Sequence, residues 1–216
     1  EVTFIHFNDL EGLENELKEE DVCAVIFESI QGVGGLDMPD DEFVIGMNTL
    51  CHKYNTCLIA DEVQSGFSRS GKFFAFQHNN IQPHVITMAK GMGNGFPIGG
   101  ILVHPDLKPK HGMLGTTFGG NHLACTASLA VLEIIKKNKL QQHAETMDAY
   151  FRAKAEKISG AKIKGRGLML GLAFNFEVGP LRKRLIYEKN IFTGGSSKKN
   201  VLRILPPLTV QKKHFD

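Results

Sequence analysis

Leu10, Leu13 and Leu17 recur at the three- and four-residue spacing that puts them on one face of a helix. Asn8, Asp9 and Glu11 supply the polar start that such a helix needs, with the cap expected near Asn8. Ahead of it, Val2 to Phe7 predicts a strand. Val22 to Phe27 is then a continuous apolar run, the pattern of a parallel strand buried on both faces, and it stops at Glu28. A glycine-rich loop follows, Asp40 or Asp41 caps a helix running to about Tyr54, and Thr56 to Ala60 is the next strand, stopping at Asp61. Val85 to Ala89 is a third, stopping at Lys90. Strands and helices that alternate in this way predict βαβ units, and so an α/β fold with a mostly parallel sheet and flanking helices.

The texture changes after Asn121. Leu123 to Ile135 and Leu140 to Ile158 both read as long helices, the second with alternating charges on its outer face, as a bridge between domains would have. Short strands at Lys162 to Ile163 and Leu168 to Phe176, and a basic helix over Leu181 to Lys189, predict a smaller α+β region. The expected division is a large domain over residues 1–141 and a small one over 142–216. Lys183, Lys189, Lys198 and Lys199 read as a solvated face, and Ile191 to Ser197 as a glycine-serine turn.

Composition narrows the field without choosing within it. The 216 residues are 42% hydrophobic and 22% charged, an ordinary globular balance. A net charge of +2 without a basic block argues against nucleic acid as a partner. No apolar run approaches the roughly 18 residues of a membrane span and no signal-peptide pattern opens the chain, so the expected setting is cytoplasmic, with no membrane partner. The four cysteines show no CxxC and no secretory spacing, and buried free thiols are expected. Cys51, His52 and Cys57 fit no zinc template, so no metal is expected.

Candidate chemistry gathers where Glu28, Asp61 and Lys90 close three successive strands, at the carboxyl ends where open α/β sheets place ligands. A lysine held in a desolvated pocket there loses solvation, its pKa falls, and its free amine can attack a carbonyl. Side chains alternate along a strand, so only one of Asp61 and Glu62 faces the crevice, and Asp61 is the choice. From the residues alone, a surface lysine in a glycine turn remains open, and a strand-end aspartate by itself reads as structural, as in a noncatalytic α/β module. The glycines of Lys90-Gly-Met-Gly-Asn-Gly alternate, which is neither a dinucleotide fingerprint nor a P-loop.

Four motifs carry a resemblance beyond these local readings: Glu28-Ser-Ile-Gln-Gly-Val-Gly-Gly, Asp61-Glu-Val-Gln-Ser-Gly-Phe-Ser-Arg-Ser-Gly, Lys90 within AKGMGNGFPIGG, and GTTFGGNHLAC from Gly115 to Cys125. In order and spacing they resemble the class III pyridoxal-phosphate-dependent aminotransferases, and within that class the acetylornithine aminotransferases. Gly165-Arg-Gly-Leu-Met-Leu-Gly and Leu202-Arg-Ile-Leu-Pro-Pro-Leu extend the likeness more thinly.

The resemblance implies a fold-type I architecture, pyridoxal 5'-phosphate as cofactor, and transfer of a terminal amino group from N2-acetylornithine to 2-oxoglutarate. Succinylornithine, ornithine and 4-aminobutyrate are the alternative donors. It makes Lys90 the Schiff-base lysine and proton shuttle, Asp61 the partner of the pyridinium nitrogen, and Val63 the residue packed on the ring. Gln64 would bond the phenolic oxygen and Glu28 would orient Gln64. Thr117 would reach the cofactor phosphate of the other subunit in a homodimer with shared sites. Arg203 would grip the α-carboxylate of glutamate or 2-oxoglutarate, and Val33 stands where many members of the class have a glutamate that masks that arginine. The family's N-terminal half, with its main phosphate loop and stacking aromatic, is expected to lie outside these residues. By themselves they are therefore expected to transfer no amino group.

Overall fold

A computed structural model describes residues 1–108, 110–113 and 115–216. Contacts divide the chain into two compact units: Glu1–Ser29 with Pro39–Gly66 and Phe76–Ile134, and Ile30–Met38 with Phe67–Ala75 and Ile135–Asp216. This division is not the linear one expected after residue 141, because two early segments belong with the later residues and the last crossing falls inside a helix. The helix expected to bridge domains lies wholly within the second unit.

In the first unit, helix α1 (Leu10–Leu17) is capped one residue later than expected. Asp9 accepts the Gly12 N–H at 2.8 Å, while Asn8, at φ 71°, accepts the Asp40 N–H at 2.9 Å. Helix α2 (Asp41–Lys53) buries Phe43, Val44, Met47 and Cys51, and its Gly46 lets Leu10 come where a Cβ would be only 2.6 Å away. Asp40 holds the N-cap position without a side-chain capping bond. Leu17, Val44 and Met47, all at most 2% exposed, contribute about 1.5–3 kcal/mol each by burial. The strand expected over Val2 to Phe7 does not form. That segment is irregular, with Val2 77% and Phe4 91% exposed, and no strand among the described residues pairs with it.

The first unit's sheet runs β1 (Ala24–Phe27), β2 (Cys57–Asp61), β3 (Val85–Met88), β4 (Gly100–Val103). The first three are parallel and β4 is antiparallel to β3, so the sheet is mixed and mostly parallel. Phe27, Leu58, Ala60 and Met88 are buried, but Ile26 is 63% exposed. The apolar run of β1 is therefore covered on one face only by the described residues, although its composition predicts burial on both. Strand β4 has no counterpart in the sequence reading; the glycine-rich run after Lys90 turns the chain back along β3. At Gly93 a Cβ would lie 2.3 Å from the Phe96 carbonyl oxygen, so this reversal needs a glycine. Helix α3 (His122–Lys137) starts where Asn121 accepts the Ala124 N–H at 2.9 Å, and it crosses from the first unit into the second after Ile134.

In the second unit, helix α4 (Leu140–Ala155) packs Ala144, Met147, Phe151 and Ala155 against Leu168, Leu170, Leu172 and Val210. Those residues belong in part to an antiparallel sheet of β5 (Lys162–Arg166), β6 (Met169–Ala173) and β7 (Val201–Ile204), the last of which the sequence pattern did not mark. Helix α5 (Gly179–Lys189) carries Pro180 in its first turn. The 30–38 segment sets Ile30 and Leu36 on Met169, and Asp37 accepts from the ammonium groups of both Lys164 and Lys198. Lys198 is thus a tether of that segment, not part of a merely solvated face. Arg69 donates to the carbonyls of Leu168 and Pro206, and its own carbonyl accepts the Leu168 N–H at 2.8 Å.

All four cysteines are free, but only Cys51 is fully buried; Cys57 is half-buried, and Cys23 and Cys125 are exposed. Burial, with the Cys57 thiol beside it, pushes the Cys51 thiol up to about 12, which makes it inert as a nucleophile. Among the described residues no helix is long and apolar enough to cross a membrane, and no group of three His, Cys, Asp or Glu side chains is placed to hold a metal ion.

Candidate functional site

The parallel order β1-β2-β3 puts Glu28, Asp61 and Lys90 at the same edge of one sheet, at or just beyond the carboxyl ends of neighbouring strands. Asp61 is the best defined of the three. One carboxylate oxygen, Oδ1, accepts the Val63 N–H at 3.0 Å and the Thr87 hydroxyl at 3.2 Å. The other, Oδ2, accepts no hydrogen bond from the described residues and so keeps its lone pairs for a donor such as a protonated ring nitrogen. Thr87 pairs with Asp61 in register on β3 and was missed in the sequence reading. Its signal was a hydroxyl inside the otherwise apolar Val85-Ile-Thr-Met.

Glu62 takes the opposite role, as the alternation along the strand requires. Only 1% exposed, it accepts the Ser65 hydroxyl at 2.7 Å and the Phe76 N–H at 2.9 Å, which braces the turn carrying Val63 and Gln64. Val63 and Gln64 themselves are half-buried in that turn. The Asp61-to-Gly71 motif therefore contains one carboxylate with an open oxygen and one bound into the fold.

Lys90 adopts φ 40°, uncommon for a residue with a side chain, at the start of a 3-10 turn over Lys90–Met92. Its carbonyl accepts the Gly93 N–H at 3.2 Å, so the turn fixes the lysine backbone where β3 ends. The side chain is exposed. The desolvated pocket expected around this amine is thus not formed by the described residues. Thr117 is also exposed, in the irregular stretch before α3.

Arg203 belongs to the second unit. On β7 it pairs with Gly171 of β6, and its backbone exchanges hydrogen bonds with Gly194 at 2.8 and 3.0 Å. Its Nη1 donates to the Gly32 carbonyl at 2.7 Å, while the buried Nε has no hydrogen-bond partner. No carboxylate among the described residues pairs with it. Val33, next to Gly32, is 57% exposed, and its carbonyl accepts both the N–H and the hydroxyl of Ser197, at 2.9 and 3.1 Å. The guanidinium is thus oriented by a carbonyl, with no carboxylate of the described residues beside it.

Comparison with known proteins bears on what this edge does. The family described as aminotransferase class-III matches residues 3–216. The chain is 38% identical over 216 residues to an acetylornithine aminotransferase of Aquifex aeolicus, covering 99% of this chain and 56% of that protein. It is 41% identical over 219 residues to an acetylornithine aminotransferase of Archaeoglobus fulgidus, covering 100% of this chain and 56% of that protein. Among solved structures, an ornithine aminotransferase from Toxoplasma gondii superposes with a TM-score of 0.89 at 30% identity, over 99% of this chain and 52% of that one. That structure is described as having partial occupancy of pyridoxal phosphate at its active site. The chain spans a little over half the length of these curated relatives.

Proposed function

We infer that this chain, which belongs to the class III aminotransferase family, is part of an enzyme that moves the terminal amino group of N2-acetylornithine to 2-oxoglutarate. The products are N-acetylglutamate 5-semialdehyde and glutamate, a step of arginine biosynthesis. The family uses pyridoxal 5'-phosphate, and the fold is that of its fold-type I members. One observation carries the reading: Asp61 has one oxygen fixed by Thr87 and Val63 and the other open, on the strand next to the one that Lys90 ends.

Asp61, Val63, Gln64, Lys90 and Thr117 would hold the cofactor, with Glu28 supporting Gln64. Bound there, the cofactor would supply an electron sink that eases loss of a proton from the amino-bearing carbon. The Asp61 carboxylate keeps the proton on the ring nitrogen through a charge-assisted hydrogen bond. The Lys90 amine would serve as the proton shuttle, taking the proton from the terminal carbon of the donor. Arg203 orients the α-carboxylate of the dicarboxylate with the N–H groups that Gly32 leaves free.

The acetylornithine assignment rests on the names of the relatives. Ornithine, succinylornithine and 4-aminobutyrate are the other donors of this class of reaction, and the structural relative is an ornithine aminotransferase. A homodimer is supported by the exposed stretch around Thr117, where Phe118 is 79% and Leu123 72% exposed, an apolar surface that a second copy would cover. We place the enzyme in the cytoplasm, in keeping with its free cysteines.

Turnover of a donor panel by the full-length enzyme tests the assignment. N2-Acetylornithine should exceed ornithine and 4-aminobutyrate in kcat/KM by about tenfold or more, which needs only about 1.4 kcal/mol of differential binding. A preference for ornithine or 4-aminobutyrate would overturn the donor and leave the aminotransferase standing.

A further inference from the structure

Three histidine rings cluster beside the amino end of β3 in the first unit. His52 of α2 lies 5.1 Å from His84, and His104, just after β4, lies 6.1 Å from it on an edge-on approach. His84 is the centre of the group and is bonded to both of its neighbouring strands. The Leu58 N–H of β2 donates to its ring Nδ1 at 3.0 Å, and its carbonyl accepts the His104 N–H at 2.7 Å. Because a backbone N–H can only donate, Nδ1 must be unprotonated, so the neutral ring carries its proton on Nε2.

We propose that His84 is a proton-sensitive latch that adds a ring-to-backbone bond between β2 and the start of β3 while its ring is neutral and loses that bond, loosening this end of the ladder, when the ring is protonated in mild acid. A proton on Nδ1 would set N–H against N–H at the Leu58 contact, turning an attraction into a repulsion at hydrogen-bond distance. The surroundings work in the same direction. Burial and the neighbouring rings of His52 and His104 hold the His84 ring below the usual histidine range, with the Asp106 carboxylate the one group that opposes them. From β2 the Leu58 N–H meets the ring, while the Leu58 carbonyl accepts the His84 N–H at 2.8 Å, a backbone bond that the ring's charge leaves in place. Protons have access, since a groove of about 650 Å³ lined by Gln77, Asn80, His84 and His104 opens to solvent.

The sign follows from linkage. A base whose folded pKa is depressed binds its proton more readily when the contact is open. The closed contact is therefore fully stable above the unperturbed histidine value of about 6.5 and weakens as pH falls below it. The consequence reaches the functional edge through short strands. Leu58 is on the strand that ends in Asp61, and His84 immediately precedes the strand that carries Thr87 and leads to Lys90. The latch holds one end of the ladder whose other end presents those three residues.

Hydrogen exchange read by mass spectrometry on the full-length protein tests this, with protection factors corrected for intrinsic exchange at about pH 8 and about pH 5.5. In the wild type, protection of the peptide containing Leu58 should fall about tenfold between the two. His84→Asn keeps an acceptor oxygen near the position of Nδ1 and cannot titrate, so its protection should stay constant. His52→Gln leaves the bond intact and removes one neighbouring ring that disfavours a proton on His84, so it should reduce the fall; it also serves should His84→Asn not fold. An unchanged wild type, an equal fall in His84→Asn, or no effect of His52→Gln would each overturn the latch.

Discussion

Thr87 is the residue whose replacement isolates the positioning of Asp61. In Thr87→Val the hydroxyl that donates to Asp61 Oδ1 at 3.2 Å is lost and the Val63 N–H at 3.0 Å is left alone to orient the carboxylate. A hydrogen bond to a charged acceptor is worth about 1.5–3 kcal/mol, but this one is long and only half-buried, so about 1 kcal/mol is the reasonable share. If that share is spent on orienting Oδ2 toward the cofactor ring, affinity for pyridoxal phosphate falls about fivefold, since 1.4 kcal/mol is tenfold. Valine fills nearly the same volume, so the apo protein should keep its melting temperature to within about 2 °C. Absorbance titration of the full-length apoenzyme reads the first quantity and thermal unfolding the second. Thr87→Ser restores a donor and should recover most of the affinity. The positioning argument fails if Thr87→Val binds the cofactor as the wild type does, or if Thr87→Ser is weakened just as much.

Two further substitutions separate fold from chemistry. Glu62→Leu leaves the Ser65 hydroxyl and the Phe76 N–H without their acceptor inside the protein, at about 1–3 kcal/mol for each buried donor, whereas Glu62→Gln keeps an acceptor and should cost less. Urea unfolding should show that order, and equal stability of the three proteins would contradict the bracing role. Val33→Glu places a carboxylate beside the peptide whose carbonyl holds Arg203, and an ion pair of about 1 kcal/mol there should raise KM for 2-oxoglutarate about fivefold. Single-turnover measurements should find the amino-donor half-reaction unchanged; equal slowing of both halves would show that Val33 has no hold on Arg203.

The strand ends were legible because a buried parallel strand is an apolar run, and a polar residue at its end is conspicuous. Glu28, Asp61 and Lys90 could thus be placed at one edge before the sheet order was known. Strands β4 and β7 were not legible. Each is four residues long, Gly-Ile-Leu-Val and Val-Leu-Arg-Ile, and owes its existence to antiparallel partners rather than to a local period. Thr87 passes unremarked in an apolar run, because only the register with Asp61 reveals what its hydroxyl is for. The assignment of residues 30–38 and 67–75 to the second unit depends on long-range ties, Asp37 to Lys164 and Arg69 to Leu168, which have no trace in local sequence. Val2 to Phe7 shows the converse error, a strand-like alternation that found no partner.

The central claim is that Lys90 is the residue joined to the cofactor. Borohydride reduction of the full-length holoenzyme, followed by proteolysis and mass spectrometry, fixes the cofactor to whichever lysine holds it. The reading here requires the label on the peptide containing Lys90 and none after Lys90→Ala, with turnover abolished in that variant. A label on any other lysine, or an active Lys90→Ala enzyme, would contradict it.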